Sequence, residues 1–332
     1  MIAAKKPSNV LVQSMFLPAL LSRAIDAHKG NFGSVAIVGG DTGMVGAVML
    51  ASRAALLCGA GRVYAAFLAE NPPSVDTCHP EIMLHSAVTL TNLAKLNCVV
   101  IGTGLGQSKT AIELLEFCMV QEVALLIDAD ALNLVSQHSH LQKLLKNRQT
   151  QTIITPHPAE AARLLKSTVM HVQQNRIESA QKLANTFNVV CVLKGAGTII
   201  AKPVNTNASD SNTDDSSASL SSLSVVNSNL VNKNCEWFIN TTGNPGLASG
   251  GTGDVLSGII GGLVAQGLDC LQAAKLGVYV HGSAADALVA SGIGPVGLTA
   301  SEIALEVRNQ INLLNKLDRK NLELEDALIL KI

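Results

Sequence analysis

The sequence predicts an α/β protein in which helices cover both faces of a mostly parallel sheet. Short runs rich in β-branched residues alternate along the chain with longer segments whose apolar residues recur at helical spacing. Hydrophobic residues make up 48% of the sequence but aromatic residues only 3%, so small aliphatic side chains must build the core. Such side chains let helices pack closely on a sheet, which favours this layered architecture.

Six runs are predicted to form strands, and they are continuously apolar, as expected where both faces of a strand are covered. In chain order they are SVAIVGG (34–40), RVYAAF (62–67), CVVIGTG (98–104), ALLIDAD (124–130), TIITPH (152–157) and VVCVLKGAG (189–197). The segments predicted to form helices between them are AVMLASRAALLCGAG (47–61), TAIELLEFCMV (110–120) and NRIESAQKLANTF (175–187).

A polar segment at 205–234 interrupts this pattern. Ser, Asn and Asp dominate it, which predicts a disordered insertion. The flanking runs GTIIA (197–201) and EWFIN (236–240) are predicted to be two paired strands. The insertion would then lengthen the turn of a hairpin, where extra residues cost little free energy.

Composition excludes several function classes. The formal net charge of -1, from 24 Lys and Arg against 25 Asp and Glu, gives no reason to expect nucleic acid or an anionic membrane as a partner. No run reaches the roughly 18 apolar residues of a membrane helix, and residues 9–21 are interpreted as an entry segment rather than a signal peptide. We therefore expect a cytoplasmic protein.

The cysteines show no metal or disulfide spacing and are expected to be small buried hydrophobes: Cys58, Cys78, Cys98, Cys118, Cys191, Cys235 and Cys270.

The stretch NPGLASGGTGDVLSG (244–258) concentrates glycines around a single carboxylate, Asp254. A close-packed helix is predicted from Val255, so the bare amides of Gly250, Gly251, Thr252 and Gly253 would lie at a helix N-terminus. That position suits a phosphate group. Asp254 itself is either an ordinary helix-terminus residue or the base that accepts a proton from a hydroxyl attacking the phosphate.

A second candidate phosphate site is LKGAGT, which contains Lys194, Gly195, Ala196, Gly197 and Thr198 between two strands. Taken alone it indicates a simple turn, but beside a phosphate site its cation and amides suit a nucleotide. It lacks the G-x-x-x-x-G-K-[ST] pattern, which excludes a Walker-type ATPase.

Further turns follow strands, where open α/β sheets bind ligands. GGDTGMVGA (39–47) and GTGLG (102–106) are glycine-rich, and TPHPAE (155–160) fixes His157 between two prolines. In LIDADALN, Asp128 and Asp130 either organise a cation or cap the following helix.

Together these motifs identify a resemblance. HKGNFGSVAIVGGDTGMVGA, GTGLG, DADALN, TPHPAE, LKGAGT and NTTGNPGLASGGTGDVLSGIIGGLVAQG, in this order, resemble the NAD(P)H-hydrate dehydratase family, repair enzymes of ribokinase-like fold. The resemblance runs from about residue 28 to beyond 303 and excludes the insertion. Thr103 and Ala159 depart from it, since proline and glycine are common there, but neither change removes a reactive group.

The resemblance implies a three-layer α/β/α ribokinase-like domain spanning residues 1–332. It implies dehydration of the S form of hydrated NADH or NADPH, with ADP converted to AMP, or ATP to ADP in eukaryotic members. Magnesium is the expected cofactor and a homotetramer the expected assembly. Because many bacterial relatives carry an epimerase domain that this sequence lacks, a separate epimerase would interconvert the R and S hydrates, or they would interconvert spontaneously.

By motif match the resemblance also implies the site residues. Ala47, Gly104, His157 and Asp254 would contact the hydrated nicotinamide nucleotide, with Asp254 as the catalytic base. The adenine nucleotide would be held by Lys194 to Thr198 and by Gly253, at the glycine-rich helix start.

Two alternatives remain at this point. A small-molecule kinase of the same fold, acting on hydroxymethylpyrimidine or hydroxyethylthiazole, would also use GGTGD, whereas HKGNFG, TPHPAE and LKGAGT together favour the dehydratase. A nucleotide-binding regulatory module without turnover is the second alternative, and the retention of Asp254 argues against it.

Overall fold

A computed structural model describes residues 9–16, 23–92, 95–204 and 235–329. Nine strands form one sheet in the order β3-β2-β1-β4-β5-β6-β7-β8-β9. Their bounds are β1 Ser34–Gly39, β2 Arg62–Phe67, β3 Met83–Ser86, β4 Cys98–Ile101, β5 Ala124–Ile127, β6 Thr152–Ile154, β7 Val190–Leu193, β8 Thr198–Pro203 and β9 Cys235–Asn240. All pairs from β3 to β7 are parallel, and β7–β8 and β8–β9 are antiparallel.

Ten α-helices belong to the described part of the chain. They are α1 Val45–Leu57, α2 Lys109–Val120, α3 Ala129–Gln137, α4 Ser139–Asn147, α5 Pro158–Leu164, α6 Val169–Gln174, α7 Arg176–Phe187, α8 Thr252–Ala265, α9 Cys270–Ala290 and α10 Ala300–Ile329. In the described residues, no helix combines the length and apolar character needed to cross a membrane.

Two hydrophobic cores lie on opposite faces of the sheet. In β1, Val35 and Ile37 join the core formed with α1, α8, α9 and α10, whereas Ala36 and Val38 join the core formed with α2 to α7. Successive residues of a strand point to opposite faces, so this alternation places helices on both sides. The predicted three-layer architecture is confirmed.

The predicted strands and helices are confirmed, and so is the pairing of the two strands that flank the insertion. Their bounds differ at the strand ends, because the polar residues that close the predicted runs form loops at the sheet edge. The edge strand β3 was missed because Met83–Ser86 is not a continuous apolar run and is largely half-buried. The predicted disordered insertion at 205–234 lies outside the described residues.

Glycines let α8 pack directly against α1. A Cβ atom at Gly258 would lie 2.0 Å from the carbonyl oxygen of Ala51, and one at Gly262 would lie 2.5 Å from Sγ of Cys58. Such contacts are far shorter than side chains tolerate. The packing therefore requires glycine, and it fixes where the N-terminus of α8 meets the sheet.

The cysteines are free thiols. Six are buried, as expected for small hydrophobic residues. The prediction is wrong for Cys78, which is exposed in the loop between β2 and β3.

Candidate active site

The predicted motifs meet at the carboxyl edge of the sheet. Strands β1, β4, β5, β6 and β7 are consecutive parallel neighbours, so the loops that follow them lie side by side. Backbone hydrogen bonds continue between these loops: Gly102 N to Val38 O (3.0 Å), Asp128 N to Ile101 O (3.0 Å), Thr155 N to Ile127 O (3.2 Å) and Lys194 N to Pro156 O (2.9 Å). The sheet therefore aligns motifs that are far apart in sequence.

Asp128 is the centre of a buried polar group. It is 1% exposed, its Oδ1 lies 2.7 Å from Nζ of Lys194, and its Oδ2 accepts a hydrogen bond of 2.7 Å from Oγ of Ser257. Burial lowers the pKa of Lys194, but the nearby carboxylates Asp128 and Glu160 outweigh it and the pKa is raised. Lys194 is therefore a permanent cation at the edge of the sheet.

Asp254 lies in the first turn of α8 and is partly buried. Burial, with repulsion from Asp128, raises the pKa of its carboxyl to about 7, although Lys194 acts in the opposite direction. A carboxyl group with a pKa near neutrality can both accept and return a proton at physiological pH. This is the property that a general base requires.

His157 and Glu160 cap the start of α5. Nδ1 of His157 accepts the backbone N–H groups of Ala159 (3.1 Å) and Glu160 (3.4 Å), and the N–H of His157 donates to Oε2 of Glu160 at 2.8 Å. Burial and Lys194 lower the pKa of His157. Burial raises the pKa of Glu160 to about 7, with Lys194 opposing it. His157 is thus a neutral ring, and about half of its side-chain surface is exposed.

The N-terminus of α8 offers a cluster of unpaired amides. In the described part of the chain, no acceptor receives the N–H groups of the four predicted phosphate-binding residues Gly250, Gly251, Thr252 and Gly253. The hydroxyl of Thr252 is already used, since it donates to the carbonyls of Leu247 (2.8 Å) and Ser249 (3.0 Å). The backbone, together with the positive end of the helix dipole, is therefore the group that suits an anion.

A cavity of about 550 Å³ joins this helix start to the turn after β7. It is lined by the whole predicted nucleotide turn, Lys194 to Thr198, and by Thr252 and Gly253. Gly250 instead lines a neighbouring cavity of about 390 Å³, and Gly251 lines neither. The volume of the larger cavity is in the range of small-molecule sites.

Ala47 and Gly104, the other two predicted substrate residues, lie together where the first turn of α1 meets the loop after β4. A Cβ atom at Gly104 would lie 3.3 Å from that of Ala47 and 2.7 Å from that of Met44, and its φ of +59° also favours glycine. This loop is tied to the carboxylates, because the N–H of Gly106 donates to Oδ2 of Asp130 at 2.9 Å. Among the described residues, no hydrogen bond or ion pair joins Ala47 or Gly104 to His157.

The charge of the site suits a divalent cation bound with phosphates. Three carboxyl groups interact with the ammonium group of Lys194, those of Asp128, Glu160 and Asp254, and the carboxyl group of Asp130 acts on Asp254. Within the described residues no group of three or more His, Cys, Asp or Glu side chains could hold a metal ion unaided. Magnesium usually takes one or two carboxylates and completes its coordination with phosphates and water, so this donor set fits it.

Sequence reasoning missed two members of the polar group. Ser257 follows Asp254 by three residues and so lies on the same side of α8, a helical spacing that the sequence already contains. Glu160 follows His157 by three residues, which is the spacing of a capping box. Neither signal reveals that both side chains converge on Asp128 and Lys194.

Comparison with known proteins agrees with this geometry. The family model described as NAD(P)H-hydrate dehydratase matches residues 35–221 and 225–307. A curated relative, the ADP-dependent (S)-NAD(P)H-hydrate dehydratase of Neisseria meningitidis, is 38% identical over 298 residues, which cover 89% of this chain and 90% of the relative.

Solved structures give the same result for the fold. The ADP/ATP-dependent NAD(P)H-hydrate dehydratase of Bacillus subtilis, co-crystallised with ATP and Mg²⁺, matches with a TM-score of 0.68 and 25% identity, over 91% of this chain and 96% of that one. A ribokinase-like superfamily protein of Enterococcus faecalis matches with a TM-score of 0.71 and 25% identity, over 92% and 95% of the two chains. The fold is therefore ribokinase-like, and the chain belongs to the NAD(P)H-hydrate dehydratase family.

Proposed function

We propose that this protein removes water from the S form of NADH hydrate or NADPH hydrate and consumes ADP, which leaves as AMP and phosphate. Membership of the family supports the dehydration. The name of the relative in Neisseria meningitidis supports ADP as the phosphoryl donor and the S form as the substrate.

One observation carries the proposal. Asp254, a carboxyl group with a pKa of about 7, lies one residue beyond the unpaired amides at the start of α8 and within the electrostatic reach of Lys194. A phosphate bound on those amides would have a base and a cation beside it. These are the components that phosphoryl transfer to a hydroxyl requires.

The reaction proceeds in two steps. The hydroxyl oxygen of the hydrate attacks the terminal phosphorus of ADP, its proton passes to Asp254, and the bond from phosphorus to the bridging oxygen breaks to release AMP. The phosphate then leaves the ring with the electrons of the C–O bond, and a proton is lost from the neighbouring carbon. The new C–C double bond restores the dihydronicotinamide.

The roles of the surrounding residues follow from their positions. Ala47, Gly104 and His157 are assigned to the hydrated nicotinamide nucleotide. Lys194 to Thr198 and the amides of Gly250 to Gly253 are assigned to the adenine nucleotide. Asp128 and Ser257 hold Lys194 in place and are therefore positioning residues.

Magnesium would neutralise charge on the phosphates when bound. Asp130 is the proposed protein ligand, because the N–H of Gly106 occupies its Oδ2 and leaves Oδ1 for a cation. Carboxylate oxygens are the ligands that magnesium prefers.

Two further assignments extend the proposal. The chain acts as one domain, since a single sheet unites all nine strands. A separate epimerase converts the R hydrate into the S hydrate, because an active site that is specific for one configuration leaves the other unrepaired.

The test is a spectroscopic assay of the purified protein. S-NADH hydrate and magnesium are mixed with ADP or with ATP, and the near-ultraviolet absorbance of the restored dihydronicotinamide is followed. We expect a rise with ADP that Asp254→Ala lowers by a factor on the order of 10²–10⁴, the usual contribution of a general base. An Asp254→Ala protein that still binds ADP shows that the loss is chemical.

The outcomes separate the alternatives. A faster rise with ATP would correct the assignment of the donor. No rise with either nucleotide, in a folded protein that consumes ATP on hydroxylated heterocycles, would replace the dehydratase by a small-molecule kinase.

A further inference from the structure

Arg176 is a partly buried cation at the start of α7. Burial lowers the pKa of its guanidinium group. In the part of the chain that the structure describes it forms no ion pair with a carboxylate, and its Nη1 donates to the amide oxygen of Gln173 at 2.9 Å. Its charge must therefore be balanced by neutral polar groups rather than by a carboxylate.

Those groups are backbone carbonyls of the turn after β7. Nη2 of Arg176 lies 3.1 Å from the carbonyl oxygen of Leu193, 3.2 Å from that of Lys194 and 3.3 Å from that of Gly197. Thr198 completes the set, since its hydroxyl donates to the carbonyl of Gly195 at 3.0 Å. Four carbonyls in and beside this turn, those of Leu193, Lys194, Gly195 and Gly197, thus accept side-chain hydrogen bonds.

The amide side of the same turn is free. Among the described residues, no acceptor receives the N–H groups of Gly195, Ala196 and Gly197, and all three residues line the cavity of about 550 Å³. Gly195 has a φ of +132°, and a Cβ atom there would lie 3.1 Å from Nη1 of Arg176. Glycine therefore lets the guanidinium group approach the turn closely.

We infer that Arg176 is a positioning residue that sets the conformation of the nucleotide turn. By holding three carbonyls on one side, it directs the amides of Gly195, Ala196 and Gly197 towards acceptor atoms of the adenine nucleotide. It also fixes the backbone of Lys194, whose ammonium group faces Asp128. That the ligand is an adenine nucleotide rests on the proposed function, whereas the contacts between Arg176 and the turn do not depend on it.

Arg148 provides a matched control. It is a buried arginine whose guanidinium group, like that of Arg176, is held by backbone carbonyls, here those of Cys118, Met119, Gln121 and Val123. These carbonyls belong to the last turn of α2 and to the loop between α2 and β5. That loop lies at the amino edge of the parallel sheet, whereas the cavity lies at the carboxyl edge. Arg148→Gln therefore removes the same kind of interaction without touching the nucleotide turn.

The experiment measures ADP binding by calorimetry in the absence of hydrate, and then KM for ADP, KM for hydrate and kcat. We expect Arg176→Gln to weaken ADP binding about 10–100-fold, because the turn loses several hydrogen bonds from a charged group. Its KM for ADP should rise in parallel, while KM for hydrate and kcat at saturating ADP stay within about threefold. Arg148→Gln should lower the melting temperature with ADP affinity unchanged.

Arg176→Lys keeps the charge but replaces the planar fork by one ammonium group. We expect it to fold and to bind ADP more weakly than the wild type, which shows that geometry rather than charge sets the turn. The inference is overturned if ADP binding by Arg176→Gln and Arg176→Lys equals that of the wild type, or if both KM values rise equally. A wild-type protein that binds neither ADP nor ATP would overturn the proposed function and the inference together.

Discussion

Nζ of Lys194 lies 2.7 Å from Oδ1 of Asp128, although the two residues are 66 positions apart in sequence. This ion pair joins the loop after β5 to the loop after β7, and Ser257 adds α8 through its bond to the same carboxylate. Three elements of the fold thus meet at one buried carboxyl group. The pair fixes the position of Lys194, whose pKa is raised by both Asp128 and Asp254.

Removal of the Asp128 carboxylate should affect catalysis as well as stability. Asp128→Asn leaves the Lys194 ammonium group largely buried without its partner, which typically costs about 3–5 kcal/mol of the free energy of unfolding. Because Lys194 would no longer be held beside α8, we expect kcat to fall at least tenfold. Urea denaturation and steady-state kinetics measure the two effects.

Asp76→Asn is the matched control for that variant. Asp76 is equally buried and lies 2.7 Å from Nε of Arg53, and none of its hydrogen bonds involves a proposed site residue. We expect a similar loss of stability with kcat retained at a temperature where the protein is folded. Equal kcat values for the Asp128 and Asp76 variants would contradict the positioning role of Asp128.

The pH dependence of turnover should report the ionisation of Asp254. A base acts only when deprotonated, so kcat/KM for the hydrate should increase as the pH rises through about 7, the pKa of Asp254. Glu160 has a pKa in the same range, and Glu160→Gln separates the two groups. The increase should persist in Glu160→Gln; its disappearance there would assign the ionisation to Glu160.

The same raised pKa predicts a stability cost. Folding raises the pKa of Asp254 from 3.8 to about 7, so the folded state binds the proton more tightly and stability is lost as the pH rises between these values. Above pH 7 the cost reaches up to about 4 kcal/mol, at about 1.4 kcal/mol for each pKa unit.

Asp254→Asn removes this cost together with the base. We expect its melting temperature to exceed that of the wild type at pH 8 and to approach it at pH 4, which thermal melts at both pH values can measure. A variant that is less stable than the wild type at pH 8 would show that Asp254 makes net favourable contacts.

A methyl group at Gly253 should block the nucleotide without harming the fold. Its Cβ atom would meet nothing closer than Nζ of Lys194, at 3.5 Å, and alanine favours a helix over glycine. It would, however, occupy space between the amides of α8 and the ammonium group. We expect Gly253→Ala to keep the wild-type melting temperature and to bind ADP at least tenfold more weakly in calorimetry; unchanged affinity would remove Gly253 from the nucleotide site.

The opposite result is expected at Gly258, five residues further along α8. There a Cβ atom would lie 2.0 Å from the carbonyl oxygen of Ala51, so α1 and α8 would have to separate. Overpacking of this kind costs about 3 kcal/mol. Urea denaturation of Gly258→Ala should show this loss, and a midpoint equal to that of Gly253→Ala would mean that the two helices can adjust freely.

The layered architecture could be predicted from sequence because it depends on local patterns. Continuous apolar runs such as CVVI (98–101) require covering on both faces, and the helical spacing in 176–187 is contained within a few turns. The edge strand Met83–Ser86 could not be predicted, since its pairing with Tyr64–Phe67 is what makes it a strand. The start of α8 was predicted because glycines and Asp254 mark it in the sequence itself.

The sequence by itself determined the fold class, the family and the residue types of the site, because these are carried by short motifs whose spacing is local. The tertiary structure decided which side chains act together. Only the parallel order of β1, β4, β5, β6 and β7 brings Asp128, His157 and Lys194 to one edge, and only the close packing of α8 on α1 places Ser257 and Asp254 beside them. Burial within that group raises the pKa of Asp254, and burial is a property of the folded chain rather than of any motif.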